Sequence, residues 1–369
     1  MARFHMAMAL LIAGLTTATS AADAGIKIPG QDGPVTLAVF GDWPYNQLLL
    51  DNAARLRHSI NSDRKVSLVL HVGDIHAGSQ PCTSANILPP IADSDPNWSR
   101  KVYFQFQQFD APVIYTPGDN EWSDCHKTKE KASGSPLKEL QSVRDLFFAR
   151  AGHSLGRQDK QVWSQAKYFD PGFPTDAHYV ENVMWMDHHI VFATFNMPGG
   201  SNNDTSPWTN GFENPTAQAK EFADRNAANL RWLKATFDTA RQSLAKVVVI
   251  ALQADMWDPE AAATGGAGLN KYTAFVRALA NYSVRFNKPV LLLNGDTHLF
   301  LVDQPLADPN STTGQIHHTQ AVPNLTRIVV QGSTNAPAEW LRLTIDPSKD
   351  QPFSWTNVAY CTDPKTSCQ

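Results

Sequence analysis

The chain has 369 residues, 42% of them hydrophobic and 18% charged, enough to bury a large core as one big domain or two small ones. Its formal net charge of −4 and isoelectric point near 6.3 give no basic face for a polyanion, which argues against nucleic acid as a partner. No block of like charges or low-complexity tract interrupts it.

Arg3, an apolar stretch from Met6 to Leu15 and the small residues Thr16 to Ala22 read as a secretory signal peptide over 1–22, with the domain over 23–369. The apolar segment is shorter than the ~20 residues of a spanning helix, so the expectation is a secreted or periplasmic protein with no membrane attachment after cleavage. Export makes the four cysteines readable as two disulfides. Cys82 and Cys125 lie in loops following neighbouring strands, and Cys361 and Cys368 lie close together in the tail, which pairs them in that order. Asn97, Asn203, Asn281, Asn310 and Asn324 sit in glycosylation sequons.

The periodicity predicts a strand at Val35 to Phe40, a helix from Gln47 to Ser59 and a strand at Ser67 to Val72. A helix near Lys101 to Phe109 and a strand at Pro112 to Thr116 follow. This βαβαβ opening implies a mostly parallel sheet. Ser135 and Pro136 start a helix toward Phe148. His178 to Met186 and His189 to Phe195 read as an antiparallel pair. Next come a long helix capped by Thr216 and running to Gln242, a strand at Lys246 to Leu252, a helix near Asn270 to Phe286 and a strand at Pro289 to Leu293. Strands at Thr326 to Val330 and Glu339 to Ile345 finish a two-sheet domain, followed by a tail that reads as irregular.

Four of the strands stop at Gly-Asp, in TLAVFGD, VLHVGD, VIYTPGD and LLLNGD, and the chain has no other Gly-Asp pair. Asp42, Asp74, Asp119 and Asp296 therefore stand just past strand ends, where open α/β sheets collect ligands. A single Gly-Asp is ordinary turn chemistry. Four carboxylates at one sheet edge would repel one another unless a cation neutralised them, which points to a metal site. His76 repeats in Asp74-x-His76 the spacing of Asp296-x-His298, so it is a candidate ligand or proton donor. Trp43, Trp122 and Trp257 accompany the motifs and suggest stacking on a ring-bearing substrate, and Asn196 in NMPGGSNN is a further candidate for the pocket. No Gly-x-Ser-x-Gly elbow or Walker loop offers a competing chemistry.

These ordered strand-end motifs, GDWPY at Gly41, GDIH at Gly73, GDNE at Gly118, LQAD at Leu252 and GDTH at Gly295, resemble the calcineurin-like metallophosphoesterases, which include the purple acid phosphatases. The resemblance implies an α/β/β/α fold, two mixed β-sheets sandwiched between helices. It implies metal ligands at Asp42, Asp74, Asp119, Asp296 and His298, with Tyr45 and Gln253 as further ligands. Asn120 stands where the family has a histidine near the leaving group, and Asp119 where it has an asparagine. Pro44 and Asp296 replace further family histidines, and Gln253 or Asp255 stands nearest the lone one. An oxygen-rich set favours Mn, Mg or Ca over Zn, with Fe also compatible. Two expectations follow. One is metal-dependent hydrolysis of a small phosphomonoester or phosphodiester, with Asn120 holding the phosphoryl group and His76 as the available acid. The other is an inactive binding protein that keeps the fold.

Overall fold

In the computed structural model, residues 33–82, 98–203, 207–266 and 268–369 are described. The segment read as a signal peptide and the Asn97 sequon lie outside them. The first sheet contains β1 (Val35–Phe40), β2 (Val66–His71), β3 (Val113–Tyr115), β11 (Ala338–Ile345) and β12 (Phe353–Cys361), in the order β12-β11-β1-β2-β3. The second contains β4 (Trp163–Ser164), β5 (Val183–Asp187), β6 (Ile190–Thr194), β7 (Val247–Ala251), β8 (Val290–Asn294), β9 (Leu301–Asp303) and β10 (Leu325–Val329), in the order β4-β5-β6-β7-β8-β10-β9. Both sheets are mixed, with β1, β2 and β3 parallel in one and β6, β7, β8 and β10 parallel in the other.

The continuous apolar runs are explained by burial on both faces. Val35, Leu37 and Val39 of β1 meet Val247, Val249, Leu291 and Leu293 between the sheets. Ala38 and Phe40 face outward instead, onto Leu56, Val102 and Phe106 of the helices Ala53–Ser62 and Trp98–Phe106. On the far side Val248, Ile250 and Leu292 pack against Trp232, Leu233 and Phe237 of the helix Pro215–Gln242 and against Phe275 and Leu279 of Thr273–Phe286. The layers are helix, sheet, sheet, helix.

Several elements differ from the sequence expectation. The tail is not irregular, because β12 pairs with β11 along its length, Ile345 opposite Phe353 through Ala338 opposite Cys361. Its solvent-facing Ser354, Trp355 and Thr356 hide the strand from an apolar count. The segment beginning at His178 becomes a strand only at Val183, since Pro174–His178 is a 3-10 turn. Asn214, rather than Thr216, caps the long helix by accepting from the Ala217 N–H at 3.0 Å. The first helix is split at Asn52 into Gln47–Asp51 and Ala53–Ser62. Cys82 pairs with Cys125 and Cys361 with Cys368, as the spacing implied. Among the described residues no helix is long and apolar enough to cross a membrane.

Candidate metal centre

The carboxyl ends of the parallel strands of both sheets meet at one place. Asp42 follows β1, Asp74 follows β2, Asp119 lies four residues past β3, Gln253 two past β7 and Asp296 two past β8. Asp42, Asp74 and Asp296 take left-handed φ of 50°, 61° and 76°, and His298 takes 64°. Such backbone is uncommon for residues with a Cβ and concentrates where function or a tight constraint demands it. Gly118 permits the closest approach, since a Cβ there would lie 1.9 Å from Asp74 Oδ1.

Two neutral side chains sit among the carboxylates. The Tyr45 hydroxyl lies 3.0 Å from Asp42 Oδ1 and 2.9 Å from Asp74 Oδ2, and its one hydrogen serves either. The same oxygen is 3.2 Å from His298 Nε2 and accepts from Asn120 Nδ2 at 3.2 Å. Gln253 Nε2 donates toward Asp74 Oδ2 at 3.2 Å, Asp119 Oδ1 at 2.9 Å and Asp296 Oδ1 at 3.1 Å. Its Oε1 accepts from the Gly199 N–H at 2.5 Å, which fixes the end of the amide that faces the carboxylates. A turned-over amide would set Oε1 against three acidic groups and an NH2 against an N–H.

Burial dominates the electrostatics. It raises the carboxyls of Asp74 and Asp296 well above the usual range, and Asp119 adds to both effects. Burial, with Asp124 next, pushes Asp119 up to about 7. The Tyr45 hydroxyl is raised well above its ordinary value, by burial first and then by Asp42 and Asp74, so it stays protonated. Burial lowers His298, but Asp42 at 3.1 Å outweighs it and the net shift is upward. Lys127 and Lys129 are held nearby on Asp124.

The residues do not fit a two-ion centre. Mg has bonds of about 2.0–2.1 Å, so ligands across one ion stand at most ~4.2 Å apart, and even Ca allows only ~5 Å. Among the described residues, the one trio of His, Cys, Asp or Glu ligand atoms lying mutually within 4.8 Å is Cys82, Cys125 and Glu130, whose sulfurs form a disulfide. Asp74, Asp119 and Asp296 are spread around an amino group at hydrogen-bond distance instead. Asp42, Asp74 and His298 likewise do not close on one point.

The remaining candidates fall differently from expectation. Asn120 spends its amide on Tyr45, Asp74 Oδ2 at 3.1 Å and the His76 carbonyl at 3.0 Å, so it has no hydrogen left for a phosphoryl oxygen. His76 is buried, with Nδ1 on the Ala77 carbonyl at 3.1 Å, and burial lowers its pKa, which disfavours the protonated form an acid needs. Trp43, Trp122 and Trp257 are 1%, 0% and 2% exposed, leaving no ring face for a substrate. Trp43 packs on Phe40 and Phe106, Trp122 under the Arg225 guanidinium, and Trp257 between Arg327 and His317. Asn196 is also buried, bound to Glu181 and Asn182. Asp255 lies beside the centre and is paired with Arg327 at 2.5 Å.

Sequence reasoning missed Arg327 and Glu121, while Gly199 lies in the NMPGGSNN segment that it did single out for the pocket. Glu121 is 3% exposed and accepts from the Tyr115 hydroxyl and the Ile75 N–H, at 2.7 and 3.1 Å. Its place as the last residue of GDNE was a usable signal. Arg327 carried none.

A helix-flanked pair of mixed sheets with acidic strand-end motifs converging between them defines a metallophosphatase fold. The chain belongs to the calcineurin-like phosphoesterase family, whose profile matches residues 35–300. Members of that family usually bind divalent metals. No curated protein sequence matches the chain. Among solved structures it is similar to GAP50, described as the anchor in the inner membrane complex of Plasmodium, at 11% identity and a TM-score of 0.41, with 88% of this chain and 89% of that one covered.

Proposed function

We propose that this protein is an exported, non-hydrolysing member of its family, a binding protein in which the metal positions have become a hydrogen-bonded keystone between the two sheets. The observation that carries this reading is the Gln253 amide, oriented by Gly199 and donating toward Asp74, Asp119 and Asp296. Hydrogen bonds and shared protons do here what cations do in a hydrolase, so a phosphate would approach a set of acidic groups beside which Lys127 and Lys129 are already paired with Asp124 and His298 with Asp42. The two disulfides support an oxidising compartment outside the cytosol.

One observation favours the hydrolase reading. Asp42 Oδ1, Tyr45 Oη and His298 Nε2 stand 3.0, 3.2 and 3.1 Å apart, edges that also suit one face of an octahedral ion, and Asp42 Oδ2 is buried without a partner. On that reading these three residues would hold a single ion supporting phosphoester hydrolysis.

The discriminating experiment assays the purified full chain on p-nitrophenyl phosphate and bis-p-nitrophenyl phosphate with Mn, Mg, Ca and Zn in turn. The binding reading expects no turnover above buffer with any of them. Divalent-dependent turnover that Asp42→Asn abolishes, with the fold retained by circular dichroism, would replace it with the hydrolase reading.

A further inference from the structure

A second site lies apart from the acidic centre, on the outer edge of the second sheet. There β4 is only two residues long and pairs with Met184 and Val183, leaving the rest of β5 uncovered on that side. The preceding chain turns away, with the Val162 N–H bonded to the Gly152 carbonyl at 2.9 Å and Gln161 bridged to His153. The gap is a cleft of about 440 Å³, within the size range of small-molecule sites.

Its chemistry is of two kinds. The apolar wall is built from Trp163, Tyr168, Met184, Trp185 and Met186. Tyr168 is 57% exposed and meets Trp163 edge to face, with centroids 6.5 Å apart, an aromatic corner open to solvent. The polar wall carries Lys160, Lys167 and His153, and among the described residues no carboxylate lines the cleft, in a chain whose net charge is −4. Lys160 leans on Asp187 at 3.7 Å, and His153 on Asp159 at 2.9 Å. Lys167 has no ion-pair partner among the described residues, and its Nζ folds back to 3.6 Å from where a Gly152 Cβ would stand. A cation held over an aromatic cleft without a counter-charge is complementary to an anion attached to a flat apolar body.

We propose that this cleft binds a small aromatic anion, its ring against Trp163 and Tyr168 and its acidic group on Lys167 and Lys160. None of the residues of the acidic centre lines it, so the proposal stands whether or not that centre hydrolyses anything.

The probe is 8-anilinonaphthalene-1-sulfonate, titrated by fluorescence into the folded full chain, with N-phenyl-1-naphthylamine as its uncharged counterpart. We expect one saturable site for the sulfonate, with the neutral compound weaker by about tenfold. Lys167→Glu and Tyr168→Ala, both at exposed positions, should each weaken the sulfonate by about three- to tenfold while leaving the melting temperature unchanged, and Lys160→Glu with Lys167→Glu together by more than about tenfold. The proposal is overturned if the single Lys167→Glu variant binds the sulfonate within about twofold of wild type, or if the neutral compound binds equally well.

Discussion

Replacing Gln253 with leucine tests the keystone at its centre. The substitution keeps roughly the volume and removes two N–H donors that face Asp74, Asp119 and Asp296, together with the acceptor that holds the Gly199 N–H. Hydrogen bonds to charged groups contribute ~1.5–3 kcal/mol each, and a buried N–H left without a partner costs ~1–3 kcal/mol. Proton uptake by the acidic groups offsets part of this, so we expect a loss of roughly 3–5 kcal/mol near pH 8. At about pH 5.5 the loss should shrink, because Asp119, pushed up to about 7 by burial, is then protonated and supplies a hydrogen itself. Urea unfolding followed by tryptophan fluorescence, with chelator present throughout, measures both values. A loss below about 1 kcal/mol near pH 8, or the same loss at both pH values, would refute a hydrogen-bonded centre.

Other consequences follow from the same groups. Asp119 has a folded-state pKa above its unfolded value, so the folded protein binds the extra proton between 3.8 and about 7 and loses stability as pH rises through that window. Asp119→Asn should remove that slope, matching wild type near pH 4 and exceeding it by roughly 2–4 kcal/mol near pH 8 in urea unfolding, whereas a variant less stable at every pH would contradict this. His71 and His317 behave in the opposite sense. Burial lowers each to about 4, so the unfolded chain takes up protons that the folded chain refuses as pH falls from 6.5 to about 4. Stability should fall through that window, by up to about 3 kcal/mol for each histidine, and His317→Gln should flatten the acid limb of a melting-temperature profile.

The sheets were legible because β1, β7 and β8 are buried on both faces and read as unbroken apolar runs. β12 was not, since its pairing with β11 is set by register across a turn and its outer residues are polar. Gly-Asp at strand ends drew attention to four carboxylates that do lie near one another, although the strands that deliver them belong to two sheets, β1, β2 and β3 to one and β8 to the other. What neutralises them was beyond sequence: the direction of the Gln253 amide depends on a backbone N–H 54 residues away. The tryptophans misled for a related reason. A ring next to a motif looks the same in sequence whether it lines a pocket or, like Trp43 and Trp122, fills the core beneath it.

On the proposed reading, donors of the chain itself, rather than ions, meet the converging carboxylates. Metal analysis of the purified full-length protein, with thermal unfolding before and after chelation, tests it most directly. We expect substoichiometric divalent metal and a melting temperature that neither chelator nor added Mn, Mg, Ca or Zn moves. One or two ions per chain, whose removal lowers the melting temperature and whose return restores it, would contradict the claim.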